Sequence, residues 1–350
     1  MGKEWYIGDD NTKARKVKNI YIGDENGKAR KVKKVYIGDE IGKARSCWSG
    51  GKKTMVCFDN SKAAYSIDLQ AWIVIEGDTG KYYSYGTFGN DKFIRVSVYS
   101  TSYSSNGITW GSSDFKADVS ALEFIDGKFI IYRRFMTNGN GIFLSSKDGV
   151  TWGNNDCTLQ ANITLNVLPK RIIKVNSTYV MIAYNSQTDS SQGIIFASTD
   201  GTTWVSKAYR AYRYCEDIAY GNGKIVVVGG TSNQYGGCVW YSSDLESWTI
   251  KDSGYTFYSV CFGNGVFVAS ADTGLLYSTD GITWSLALNL YNNTTIKKVI
   301  FTGEKFYCAG IWGYSYYSTD GITWTQMNGL SKDFRNGNVI YSIDGGGSQY

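Results

Sequence analysis

Eight residues occur twice without change, Tyr277-Ser278-Thr279-Asp280-Gly281-Ile282-Thr283-Trp284 and again from Tyr317 to Trp324. The frame inside them, Ser-x-Asp/Asn-x-x-x-Trp, recurs from Ser66 to Trp72, Ser104 to Trp110, Ser146 to Trp152, Ser198 to Trp204 and Ser242 to Trp248, which makes seven copies. Their tryptophans stand 36 to 52 residues apart. A recurrence of that length means repeated supersecondary units.

The box has the chemistry of a tight hairpin. An apolar or aromatic residue before the serine ends one strand. Asp-Gly takes the turn, because glycine accepts positive φ and an aspartate can bond nearby backbone amides. Thr-Trp opens the next strand, with side chains suited to a pleated surface. Asp68 and Asp244 are followed by leucine instead of glycine, and Asn106 replaces the aspartate in one copy. The acidic or amide residues Asp68, Asn106, Asp148, Asp200, Asp244, Asp280 and Asp320, with Trp72, Trp110, Trp152, Trp204, Trp248, Trp284 and Trp324, are therefore read as structural. A residue repeated in every unit holds the unit together.

Around each box the spacing predicts four strands. In the fifth copy these are Glu216 to Tyr220, Lys224 to Val228, Cys238 to Ser242 and Trp248 to Lys251, with Gly221-Asn222-Gly223 as a turn. Four antiparallel strands in about 40 residues is the blade of a β-propeller. The first copy lacks one strand, and Asn338 to Asp344 lies beyond the last box without a unit of its own. Pairing the two would remove exposed strand edges. The expectation is an all-β chain: a seven-bladed propeller over residues 54–350, closed by the C-terminal strand.

Residues 1–53 differ. Tyr6-Ile-Gly-Asp, Tyr21-Ile-Gly-Asp and Tyr36-Ile-Gly-Asp mark three repeats of 15 residues, each read as a β-hairpin. This segment holds 14 Lys and Arg against 7 Asp and Glu, whereas the remainder holds 22 against 24. Acidic residues interrupt every basic run, so alternating lysines that solvate a strand face are expected, and not a nucleic-acid site. Such hairpins are marginal alone and call for a partner surface.

Histidine is absent. That removes Ser-His and Cys-His nucleophile pairs and the usual zinc sites, so neither a metal nor a cofactor is expected. The seven cysteines include no Cys-x-x-Cys pair, and Cys261 and Cys308 sit in apolar strand patterns as small buried hydrophobes. No apolar run reaches the length of a membrane span, and the start has no apolar core of a secretory signal.

The box resembles the Asp-box (BNR) repeat of sialidase-like propellers, with aspartate and glycine adjacent and so one residue shorter than the usual form. The wider combination is the Tyr-Ile-Gly-Asp…Gly-Lys-Ala-Arg repeats, ending in Cys47-Trp48-Ser49-Gly50-Gly51, followed by Tyr-Ser-Thr-Asp-Gly-Ile-Thr-Trp blades. It resembles tail-fibre or receptor-binding proteins of prophages and tail-like particles in Gram-positive bacteria. That resemblance implies a virion-mounted adhesin, attached through residues 1–53 to other tail or baseplate proteins and often trimeric, made in the cytoplasm without a signal peptide.

Sialidase-like catalysis would need an arginine cluster and a tyrosine assisted by a glutamate. The Arg-Ile-Pro signature is missing, and Pro169 is followed by Lys170-Arg171. Aligned on Phe88, Phe124, Val175, Tyr220, Phe262 and Phe301, the inner strands place Tyr85, Ala121, Ile172, Asp217, Ser259 and Lys298 at one level. That offers one carboxylate per level, so no catalytic residue is assigned; a glycoside hydrolase or a generic protein-binding scaffold are the alternatives. The ligand is expected on the face opposite the boxes, where Tyr209, Arg213, Tyr235, Tyr291, Trp312 and Tyr314 lie in variable loops. Aromatic faces there suit sugar rings of a cell-surface glycan, or a protein surface.

Overall fold

The computed structural model describes residues 5–8, 14–17, 21–23, 29–31, 34–38, 44–49, 54–58, 63–66, 72–74, 85–96, 100–113, 119–133, 136–137, 140–160, 166–185, 192–231, 236–290, 295–328 and 338–342. The box at Asp68 lies outside them.

Four-stranded antiparallel units recur, four of them as separate sheets and three joined within one 13-stranded sheet. The one containing the fifth box runs Arg213–Gly221, Lys224–Thr231, Gly237–Ser242 and Thr249–Ser253. Its outer strand starts one residue after Trp248, and its inner strand begins three residues before the expected Glu216. The strand Asn338–Ser342 pairs antiparallel with Thr54–Phe58, which continues into Ala63–Ser66 and Ile73–Val74. The inner strands lie side by side in the order Tyr85–Gly89, Val119–Ile125, Asn166–Val175, Arg213–Gly221, Phe257–Gly263, Ile296–Phe301 and Asn338–Ser342, and the last again touches the first. Radial four-stranded sheets with their first strands around one axis form a β-propeller.

Some neighbouring sheets are also hydrogen-bonded to each other. Gly153–Gln160 pairs in parallel with Thr203–Ala211, and Gln192 pairs with Arg213. The long interval between Trp152 and Trp204 is taken up by strands of 8 to 10 residues. Residues 5–49 contribute three separate two-stranded hairpins, Trp5–Gly8 with Ala14–Val17, Tyr21–Gly23 with Ala29–Lys31, and Lys34–Gly38 with Ala44–Ser49.

Each described box is closed by the same bonds. Asp280 Oδ1 accepts the amides of Ile282 and Thr283, both at 2.8 Å, and the Ser278 hydroxyl at 2.9 Å. The Ser278 oxygen in turn accepts the Gly281 amide at 2.8 Å. Asp148, Asp200, Asp244 and Asp320 repeat this, and Asn106 does so through its amide oxygen. The ring nitrogens of Trp110, Trp204, Trp248 and Trp324 donate to the carbonyl three residues earlier. Leu245 keeps the left-handed backbone of the glycine it replaces, at φ 68°.

Glycines also set how closely the sheets approach. A Cβ on Gly89, Gly221 or Gly263 would fall 2.1 to 2.3 Å from the ring of Phe124, Phe262 or Phe301 in the next sheet. Those rings then pack on Phe129, Phe267 and Phe306 of their own sheets, with centroids 4.7 to 4.8 Å apart. At the rim, Asn90, Asn222 and Asn264 sit at positive φ and donate to two carbonyls of the next unit, one in its turn and one in its box. Lys92 and Lys224 add a bond to the carbonyl of the neighbouring box aspartate. Cys215, Cys238 and Cys308 are buried in the strands, and burial pushes the Cys238 thiol up to about 11.

Two outcomes follow from these bonds. Gly221→Ala should cost about 1–3 kcal/mol in denaturant unfolding, because the methyl group has no room against Phe262. The double variant with Phe262→Leu should cost less than the sum of the single changes, whereas additivity would show that the contact is not tight.

The second concerns acid. Backbone amides, Ser247 foremost, hold Asp244 at about 2; burial alone would raise Asp280, but the amides of Thr283 and Ile282 bring it to about 2. Their ordinary value is 3.8, so the unfolded chain takes up these protons first. Their stabilisation is full above that value and is lost as pH falls towards 2. Asp280→Asn, which keeps the acceptor as Asn106 does, should make the melting temperature less sensitive to acid between pH 4 and 2. An unchanged slope would dissociate the box from acid unfolding.

Candidate functional site

Five inner strands carry a bulge at the same place. The register shifts between Val119 and Ala121, Pro169 and Arg171, Cys215 and Asp217, Phe257 and Ser259, and Ile296 and Lys298. Each bulge sets two residues of one strand against a single partner and re-aims the side chains around it.

Immediately after the bulges lies a buried polar belt across successive sheets. Asp217 Oδ1 accepts from Arg171 Nη1 and, at 2.9 Å, from the Ile218 amide. Its Oδ2 accepts the Ser259 hydroxyl at 2.6 Å, the Val260 amide at 3.0 Å and Lys298 Nζ at 3.2 Å. Arg171 Nε stands 3.7 Å from Glu123. Burial would push the Asp217 carboxyl up, but Arg171, Lys298 and Ser259 hold it well below the usual carboxylate range. A carboxylate with five donors has no lone pair left for a substrate proton.

The residue opposite Asp217 in this belt is Arg171, where hydropathy alignment puts Ile172. Val175 pairs with Thr178 as Gly221 pairs with Lys224, so Val175 occupies the glycine position and not that of Tyr220. The alignment anchored on Val175 is therefore displaced by one residue in this sheet. The turn residues Asn176 and Asn222 would have supplied the correct frame.

The box and turn residues share one face of the disc. The opposite face holds the loops between second and third strands and between sheets. Tyr209 is exposed (52%) near the end of Thr203–Ala211. Arg213 begins the next inner strand and is paired with Asp252 at 2.8 Å. Trp312 lies in a short 3-10 turn, Ile311–Gly313, and is 47% exposed. Tyr314 packs against the apolar cluster around Val299 and Cys308, and its carbonyl accepts the Gly310 amide. Tyr209 and Arg213 stand on sheets that are not adjacent to the one carrying Trp312 and Tyr314, so the structure does not gather the four into one patch. Tyr235 and Tyr291 lie outside the described residues.

Tyr212 belongs to the loop-face stretch Tyr209 to Tyr214, but nothing in the sequence marks its backbone as special. It joins two sheets at φ 59° and is 47% exposed. Trp312 shares that backbone, at φ 62° and ψ 24°. Bulky residues avoid the left-handed region, where each costs about 1–2 kcal/mol. Among the described residues, no group of three or more His, Cys, Asp or Glu is placed to hold a metal ion. Among them too, no helix is long and apolar enough to cross a membrane.

The fold and its axial arrangement define a β-propeller, and comparison with solved structures gives the same class. YCF48 bound to D1 peptide is similar over 70% of this chain and 80% of that one, with 17% identity and a TM-score of 0.50. A quinonprotein alcohol dehydrogenase-like protein from Bacteroides thetaiotaomicron is similar over 79% and 75%, with 11% identity and a TM-score of 0.51. At these identities the likeness is one of fold alone. No family model matches the chain, and no curated protein matches it.

The belt makes a direct prediction. Asp217→Ala leaves Arg171 and Lys298 without their main acceptor, and should cost about 3–5 kcal/mol in urea unfolding, the penalty for breaking a buried pair. A loss below about 1 kcal/mol, the worth of an exposed pair, would show that the belt does not hold the sheets together.

Proposed function

We propose that the chain is a non-enzymatic receptor-binding protein whose propeller has seven blades, the first completed by Asn338–Ser342. It meets a cell surface through the loop face and is mounted on a phage tail or tail-like particle through residues 1–53. The observation that carries this is the pair Tyr212 and Trp312. Both are large aromatics left in solvent on the loop face, and both are held in backbone that such residues avoid. Strain of this kind persists where a function needs the side chain presented. Exposed rings, with Arg210 and Arg213 beside Tyr212, suit a glycan of the cell surface.

The attachment role is supported by the three N-terminal hairpins. Among the described residues each is a two-stranded sheet, a form that gains by pairing with another chain. The tail-particle setting and a trimeric state rest on the motif resemblance. A protein receptor is the second reading, since a propeller of similar fold, YCF48, has been solved with a peptide.

Whole-cell and glycan-array binding by the full chain tests the proposal. Trp312→Gly and Tyr212→Gly should each weaken cell binding by about tenfold, equivalent to about 1.4 kcal/mol. Because glycine relieves the left-handed backbone, neither variant should lower the melting temperature. Parent-like binding by both variants, with loss of binding on changing the box-side Ile322, would place the site on the wrong face. Turnover of a surface polysaccharide would overturn the non-enzymatic part, and protease treatment of the cells separates a protein receptor from a glycan.

A further inference from the structure

The bulged residues themselves form a second, more open ring. They are Ser120, Lys170, Glu216, Tyr258 and Lys297, one on each of five consecutive inner strands. All precede the buried belt on strands that start at the loop face, so they lie at its axial mouth. Ser120 is turned into its own sheet, donating to the Tyr132 and Arg133 carbonyls at 3.3 Å. The other four are accessible and interact across sheets. Lys170 Nζ engages both oxygens of Glu216, at 3.2 and 3.4 Å. Lys297 Nζ stands 4.1 Å from the centre of the Tyr258 ring.

Charge is unevenly satisfied in this ring. Glu216 is taken by Lys170, and Asp217 below is saturated by the belt. Among the described residues Lys297 has no hydrogen-bond or ion-pair partner beyond the face of Tyr258. The residue as a whole is exposed, and the partial burial of its ammonium beside Tyr258 pushes it down from the ordinary lysine range. An ammonium held over an aromatic ring, with the nearby carboxylate already engaged by Lys170, keeps its three donors free for an anion. The belt beneath fixes the strand that carries it, which keeps the group in one place.

We propose that the axial mouth on the loop face is a binding site for an anionic group, carboxylate or phosphate, with Lys297 as its principal contact and Lys170 as a second cation released from Glu216 on binding. This deepens the receptor-binding reading and rests on it: the part of a surface glycan recognised at the axis is its charged substituent.

The test uses the full chain with three probes of one size, glucuronate, glucose 6-phosphate and glucose, followed by titration calorimetry. The parent should bind one or both anionic sugars at least about tenfold more tightly than glucose, as one charge-assisted contact gives. Comparing the two separates carboxylate from phosphate. Lys297→Gln should abolish the preference without lowering the melting temperature, and Lys297→Arg should retain it. Glu216→Gln should strengthen anion binding, because it frees Lys170 and removes a like charge. No preference in the parent, a preference kept by Lys297→Gln, or weaker binding in Glu216→Gln would overturn the site. Cell binding by a parent chain that shows no anion preference leaves the receptor-binding reading standing and removes this one.

Discussion

One side-chain oxygen that accepts two backbone amides decides how the chain leaves each third strand. In every described box Oδ1 of an aspartate, or of Asn106, takes the amides two and three residues ahead. That fixes the turn, and the next residue must then enter left-handed backbone. Gly149, Gly281 and Gly321 do so while lying against Ile94, Val226 and Val268 of the preceding sheet, where a Cβ would fall 2.2 to 2.7 Å from a side-chain carbon. The same residue thus satisfies the turn and sets the distance between sheets. The buried rows of Val, Ile and Phe between neighbouring sheets depend on that distance.

Much of this was legible in the sequence because it repeats. Seven boxes, a recurring Gly-Asn turn and an unpaired strand pattern at Asn338 were enough to place the strands around each box, with ends out by one to three residues. The inner-strand belt was legible only in part. Asp217, Ser259 and Lys298 align correctly by apolar anchors, and a bridge from Asp217 to Arg171 or Lys298 was legible as a charge pairing, but Val175 stands where Gly221 and Gly263 do, so Arg171 was set one level away from Asp217. Bulges left no trace at all, since an extra residue in a strand changes neither composition nor hydropathy. The rim asparagines read as turn formers, and their bonds to the next unit depend on a neighbour that only the closed ring supplies.

The two faces divide their tasks. On the box face, side-chain polar groups are consumed by the chain's own backbone: Asp280 by its amides, Asn222 by carbonyls of the next sheet. On the loop face Tyr209, Tyr212 and Trp312 remain in solvent, and among the described residues Lys297 meets an aromatic ring and no paired carboxylate. Stability is repeated and recognition is varied, which lets loops change without disturbing the boxes.

Pairing of Asn338–Ser342 with Thr54–Phe58 has a consequence for synthesis. The first propeller sheet to leave the ribosome lacks its inner strand until residue 342 has emerged, so Thr54–Phe58 presents an open edge until then. Every later sheet can assemble from contiguous residues, but the ring cannot. Its last step is a contact between segments at opposite ends of the propeller, the kind that closes slowly and exposes a strand edge while it waits.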